Sequence, residues 1–197
     1  MGQTYNVKNY YESEFQSHQA SIDKVREACF DDFERWIDAA VLTLKKGGKI
    51  MFCGNGGSAS DAQHLATELS VRYLKDRPAI AGLCLNTDTS TLTAAGNDYG
   101  FQYVFSRQIE AIGQADDLLV CISTSGNSQN LMEALKAAQK KKIKSVGLLG
   151  RDGGTMRDLC DLSVIVPLHE TPRIQEMHIT LGHIFCGALE SALGLIE

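Results

Sequence analysis

The sequence predicts an α/β fold: a five-stranded parallel sheet flanked by helices, with a helical arm at the N-terminus. Three observations carry this. Five short apolar runs alternate with amphipathic helical stretches. Those runs are apolar throughout, as strands are when helices cover both faces of the sheet. No repeat period or low-complexity linker interrupts the 197 residues, so the chain reads as one domain. Residues 1–48 form its arm and residues 49–197 its core.

Each element has its own signal. Ile22, Val25 and Cys29, then Phe33, Ile37, Val41 and Leu44, recur at helical spacing through the arm. Gly47-Gly48 ends that helix. KIMFC, residues 49–53, is the first strand and runs into GNGGS. Residues 58–75 read as helix, with Ala62, Leu65, Ala66 and Leu69 on one face, stopped by Arg77-Pro78. Residues 79–85 are the second strand. A helical patch over residues 88–95 is closed by Gly96, and Phe105, Ile109 and Ile112 mark another helix. DLLVCI, residues 117–122, is the third strand and runs into STSGNS. A helix over residues 130–140 precedes the fourth strand, residues 144–149, which ends in GRDGGT. The fifth strand, residues 162–166, stops at Pro167, and a long helix runs from about Ile174 to the C-terminus.

Composition narrows the function classes. Hydrophobic residues at 44% and charged residues at 22% fit a globular chain and exclude a disordered one. The formal net charge is -5, and Lys140-Lys141-Lys142 reads as a solvated helix end, so nucleic acid is not an expected partner. The six cysteines, at 29, 53, 84, 121, 160 and 186, form no CxxC pair and read as core residues of a reducing compartment. The polar N-terminus lacks a signal-peptide core, and no run is long enough to span a bilayer. A cytoplasmic protein with no membrane partner is the expectation.

Ligands of doubly wound sheets bind in the loops beyond the C-terminal strand ends. GNGGS, with Asn55, Gly56, Gly57 and Ser58, lets backbone approach an anion at a helix start. It matches neither GxGxxG nor a P-loop, and alone it reads equally as a tight strand–helix turn. STSGNS says more. Ser123, Thr124, Ser125 and Ser128 place four hydroxyls around one glycine at a helix start, more than capping needs. Ser128 is also well placed as the helix cap.

His64 and Glu68, at i,i+4, share one face of the helix that GNGGS opens. Such a pair suits a shared divalent cation or acid–base work, and equally an ordinary surface contact. The segment RIQEMH with His183 opens the last helix. Gln175 and His183 are eight residues apart, about 12 Å along one helix. Either they converge on an ion between them, or different subunits supply them, or one is no ligand. His178 is the rival ligand, and Glu176 reads alternatively as a cap.

Together GNGGSASDAQHLATE, GND, STSGNS and RIQEMHITLGH resemble the SIS-domain family, and within it the phosphoheptose isomerases. The resemblance runs from about Lys49 to the C-terminus. It implies a flavodoxin-like three-layer fold and interconversion of D-sedoheptulose 7-phosphate with D-glycero-D-manno-heptose 7-phosphate. That is the first step of heptose supply for lipopolysaccharide or other surface glycans. It implies a cytoplasmic homotetramer with sites near subunit contacts and zinc held by His64, Glu68, Gln175 and His183. Ser123, Thr124, Ser125 and Ser128 would hold the phosphate, and Asn55, Gly56, Gly57, Asn97 and Asp98 would line the substrate. An enediol mechanism would use Glu68 as base and His183 as acid. Thr171-Pro172 stands where some members carry an acidic residue, so a third acid–base group is not expected there.

Three rivals share parts of this pattern: a DnaA-binding replication-initiation regulator, a sugar-phosphate sensor, and an isomerase of another phosphosugar. Regulators of the first kind resemble a version without the Glu68 carboxylate. The phosphate loops themselves carry no information on sugar length.

Overall fold

The computed structural model describes residues 6–196. The first five residues of the expected arm, and Glu197, lie outside them. The arm is two helices, α1 (Val7–Ala28) and α2 (Phe30–Lys45), broken at Cys29. Asn6 caps α1 through a 3.2 Å bond from the Asn9 amide. Gly47, at φ 81°, and Gly48 donate their amides back to Leu44 and Thr43 and close α2, as the glycine pair implied.

Five strands follow: β1 (Ile50–Gly54), β2 (Gly82–Cys84), β3 (Leu118–Ser123), β4 (Lys144–Gly150) and β5 (Leu162–Val166). They pair entirely in parallel in the order β2-β1-β3-β4-β5. The helices between and after them are α3 (Gly57–Ser70), α4 (Thr89–Asp98), α5 (Ser106–Ile112), α6 (Gln129–Lys140) and α7 (Thr171–Ala192). All of β3 is buried. Its Leu118, Val120 and Ile122 join the core with α2, α3 and α7, while Leu119 and Cys121 join the core with α5 and α6. One strand thus feeds two hydrophobic layers, the physical reason its sequence does not alternate.

The boundaries differ from expectation at three places. Helix α3 ends at Ser70 rather than continuing to residue 75. The Arg77 guanidinium reaches back and takes the Glu68 and Leu69 carbonyls at 2.7 and 2.8 Å, closing the helix. Helix α4 continues through Gly96 to Asp98, and the chain turns instead at Gly100, where φ is 100°. Only Gly82–Cys84 of the expected second strand, residues 79–85, is strand, paired with β1 at the sheet edge.

β1 is followed in sequence by β2 on one side and flanked by β3 on the other. The connections therefore diverge beyond the C-terminal ends of β1 and β3. This is where a doubly wound sheet opens a crevice.

Candidate active site

The loops after β1 and β3 form the two walls of that crevice. Gly56 adopts φ 58°, ψ -124°, a conformation only glycine tolerates, and a Cβ there would meet nothing within 4 Å. The glycine serves the backbone path, not packing. At Gly57 the reverse holds: a Cβ would lie 2.5 Å from Gln175 Nε2. Ser58 is buried, packed under Gly54. Asn55 exchanges reciprocal amide bonds of 2.9 and 2.8 Å with Asn130 of α6, tying the first wall to the second. Asn86 clasps Gly54, accepting from its amide at 3.2 Å and donating to its carbonyl at 2.9 Å. Asn130 and Asn86 escaped the sequence reading because single asparagines at element ends carry no pattern.

The second wall is built from serines and one strained glycine. Gly126 sits at φ 64°, and a Cβ would run into the Gly153 carbonyl. Ser123 Oγ accepts the Gly126 amide at 3.0 Å, and Ser125 Oγ accepts the Asn127 amide at 3.2 Å. Asn127 Oδ1 accepts the Thr155 amide and hydroxyl at 3.0 and 2.9 Å, bracing the loop on the turn after β4. Thr124 is half-buried beside them. Ser128 occupies the N-cap position but makes no side-chain cap bond, contrary to the expected capping role. The loop leads directly into the N-terminus of α6, and a helix start beside free hydroxyls is an arrangement suited to an anion. Asn97 and Asp98 lie exposed at the end of α4 and bond each other at 2.8 Å.

The third part is the seam between α3 and α7, which run side by side in the same direction. Gln175 lies against Gly57, Gly182 against Leu65 and Gly187 against Tyr73. This register brings His183 Nε2 within 2.8 Å of His64 Nε2, across 119 residues of sequence. Glu68 Oε1 is 3.2 Å from the same His64 nitrogen. Gln175 does not join them within the chain: it remains about two helical turns away over Gly57.

Two facing imidazole nitrogens and a carboxylate are a donor set that suits zinc. Among the described residues no three His, Cys, Asp or Glu side chains surround one point as a finished cage. The contacts run pairwise through His64, to His183 and to Glu68. The donor types fit such an ion in chemistry.

His178 is fully buried, and neither ring nitrogen meets a hydrogen-bond partner. Burial pushes its pKa down to about 4, partly opposed by the nearby Leu149 backbone. Glu176 is no cap: it pairs with Arg173 at 2.8 Å and His18 at 2.7 Å, against the arm. Asp61, one turn before His64, was not singled out from the sequence. Burial raises its carboxyl to about 6 against the opposing pull of His64, and its Oδ2 has no partner.

A parallel sheet in this order, with a serine loop and a glycine loop at its switch point, defines the SIS class, and the SIS domain model matches residues 14–150. The chain is 51% identical to a phosphoheptose isomerase of Aliarcobacter butzleri over 187 residues, covering 95% of this chain and 99% of that one. It is 57% identical to the Rhodospirillum rubrum phosphoheptose isomerase over 157 residues, covering 79% and 84%. It therefore belongs to the phosphoheptose isomerase family. The solved phosphoheptose isomerase of Neisseria gonorrhoeae superposes with a TM-score of 0.89 at 40% identity, covering 94% of this chain and 100% of that one. That of Francisella tularensis gives 0.92 at 32% identity, covering 95% and 100%.

Proposed function

We propose that this protein is an aldose–ketose isomerase that converts D-sedoheptulose 7-phosphate to D-glycero-D-manno-heptose 7-phosphate through an enediol. One observation carries the reading: the seam joins Glu68, His64 and His183 beside a loop pair suited to phosphate. Family membership at 51% identity over nearly the whole chain supports it. A replication-initiation regulator is the weaker reading, because both His64 and Glu68 are present and paired.

In this reading the α6 amides with Ser123, Thr124, Ser125 and Ser128 anchor the phosphate. Asn55, Gly56, Gly57, Ser58, Asn97, Asp98 and Gln175 line the sugar. Glu68 removes the proton from the carbon beside the carbonyl and returns it to the neighbouring carbon. His183 donates a proton to the carbonyl oxygen and accepts the hydroxyl proton on the other. Net, one hydrogen and one carbonyl exchange places. One zinc ion per subunit, held by His64, Glu68 and His183, would supply electrophilic polarisation of the substrate oxygens. Gln175 completes the implied ligand set by reorienting over Gly57 or by reaching in from a second subunit.

The same reading makes the protein a cytoplasmic homotetramer supplying heptose for lipopolysaccharide or another surface glycan. No helix among the described residues is long and apolar enough to cross a membrane. Val7, Tyr11, Phe15 and Ile22 line one exposed face of α1, which supports a buried role for the arm in an oligomer.

The test is turnover of sedoheptulose 7-phosphate by zinc-replete protein in deuterated water, followed by proton NMR. Conversion to the aldose is expected, with Glu68→Gln at least about 10²-fold slower and still folded. Saturable binding without conversion would overturn this reading in favour of a sensor or an isomerase of another phosphosugar.

A further inference from the structure

A buried ion pair lies behind the candidate acid–base residues. Arg77 Nε and Glu190 Oε1 are 2.7 Å apart, and both side chains are 0% exposed. Burying a guanidinium and a carboxylate carries a desolvation cost that their attraction barely offsets, and apolar residues of similar volume often do as well. Stability alone is a poor reason for this pair. Its hydrogen bonds supply a better one.

Arg77 Nη2 donates to the carbonyl of Glu68 at 2.7 Å, and Nη1 donates to those of Leu69 and Pro78 at 2.8 and 3.0 Å. The guanidinium thus grips the last turn of α3, whose carbonyls have no helical partner. Glu190 Oε1 also accepts the backbone amide of Tyr73 at 3.2 Å. The Tyr73 ring then stacks on the His183 imidazole, with centroids 5.6 Å apart and planes inclined by 27°. The ring lies along α7, past Gly187, where a Cβ would come within 3.3 Å of Tyr73 Cε1. On its other side His183 meets His64 edge to face, with centroids 5.0 Å apart.

We propose that Arg77 and Glu190 are positioning residues for the isomerisation. The guanidinium fixes the helix turn that carries Glu68, and the carboxylate seats Tyr73 as the backstop of His183. The proposal rests on the acid–base assignment made above. Neither member of the pair touches substrate, so loss of either should act on turnover rather than on sugar-phosphate binding. Misplacement of a reacting group by about 1 Å costs up to about 10²-fold in rate.

The experiment uses the zinc-replete oligomer and three variants: Tyr73→Leu, Tyr73→Phe, and the apolar double replacement Arg77→Met with Glu190→Leu. Two quantities are read: kcat and KM for sedoheptulose 7-phosphate, and the NMR resonance of the His183 ring proton. The Tyr73 ring current displaces that resonance, so it reports whether the tyrosine is seated. Expected is a fall in kcat of about tenfold or more in Tyr73→Leu and in the double variant, with KM changed less than about twofold. Tyr73→Phe should restore turnover. The His183 resonance of the double variant should move toward its position in Tyr73→Leu. A folded double variant with unchanged kcat and an unmoved resonance would overturn the proposal and leave the pair purely structural. If the double variant does not fold, the conservative Glu190→Gln decides by the same readouts: an unchanged kcat with an unmoved His183 resonance would overturn the proposal. Should the wild type fail to turn over the sugar, the function proposed above falls, while the His183 resonance still decides the positioning.

Discussion

The loops after β1 and β3 and the α3–α7 seam both arrange polar groups around the crevice, by different means. The loops do it with backbone. Gly126 is locked by its φ of 64° and by the Gly153 carbonyl, and Ser123 bonds an amide three residues on. Ser123 and Ser125 bond within their own loop, while Asn86, Asn130 and Thr155 brace the loops from neighbouring elements. The seam does it with side chains on two helices 119 residues apart, backed by an ion pair that spans 113. A loop of the first kind takes its shape from backbone conformation and from braces on the elements next to it. The seam exists only when the whole fold has closed, so its precision depends on the packing of elements that never touch substrate.

The sharpest way to break this contrast is at the seam's reacting end. His183→Gln keeps a polar side chain on α7 but cannot relay protons. We expect kcat to fall by about 10²–10⁴-fold, with little change in melting temperature, measured by turnover and thermal denaturation. Failure of the loop should look different. Gly126→Ala forces a side chain into left-handed backbone and against a carbonyl, which should cost about 3 kcal/mol of stability and weaken sugar-phosphate binding, measured by denaturant titration and calorimetry.

Buried on α7 near Leu149 of β4, His178 reports how dry the core under that helix is. His178 titrates near its ordinary 6.5 when unfolded, and at about 4 when folded. Above pH 6.5 both states are neutral and nothing is lost. As pH falls from 6.5 toward 4, the unfolded chain gains a proton that the folded chain refuses, so stability declines, by about 2 kcal/mol near pH 5. His178→Gln should remove that slope in denaturation curves taken across this range. The smallest effect belongs to the bridge between the walls. Asn130→Ala strands the Asn55 amide and should cost about 1–2 kcal/mol, with a raised KM and a kcat changed less than the seam variant's.

The same contrast explains how far the sequence was legible. Four hydroxyls within six residues at a strand end are legible as a candidate anion site, because the four groups are neighbours in the chain. His64 and Glu68 declare a shared helix face by their spacing. Nothing in the spacing says that His183, rather than His178, meets them. The parallel run of α3 and α7 decides it, placing His183 on His64, burying His178 and leaving Gln175 over Gly57. Helix α3 was read five residues too long because its terminator, Arg77, acts through a folded-back side chain and not through the adjacent proline. Asn130, Tyr73 and Glu190 carry no local sign for the same reason: each matters through partners far away in the chain.

The sequence by itself determined the parallel α/β architecture, the loops at its strand ends and the chemical types offered there. Those features follow from hydrophobic periodicity and from glycine and serine chemistry, which act over a few residues. Only the tertiary structure decided which histidine joins which, where the strand order opens the crevice, and what stands behind the reacting groups. Bringing side chains together across more than a hundred residues depends on how whole helices pack against the sheet, and the residues that meet carry no local sign of it.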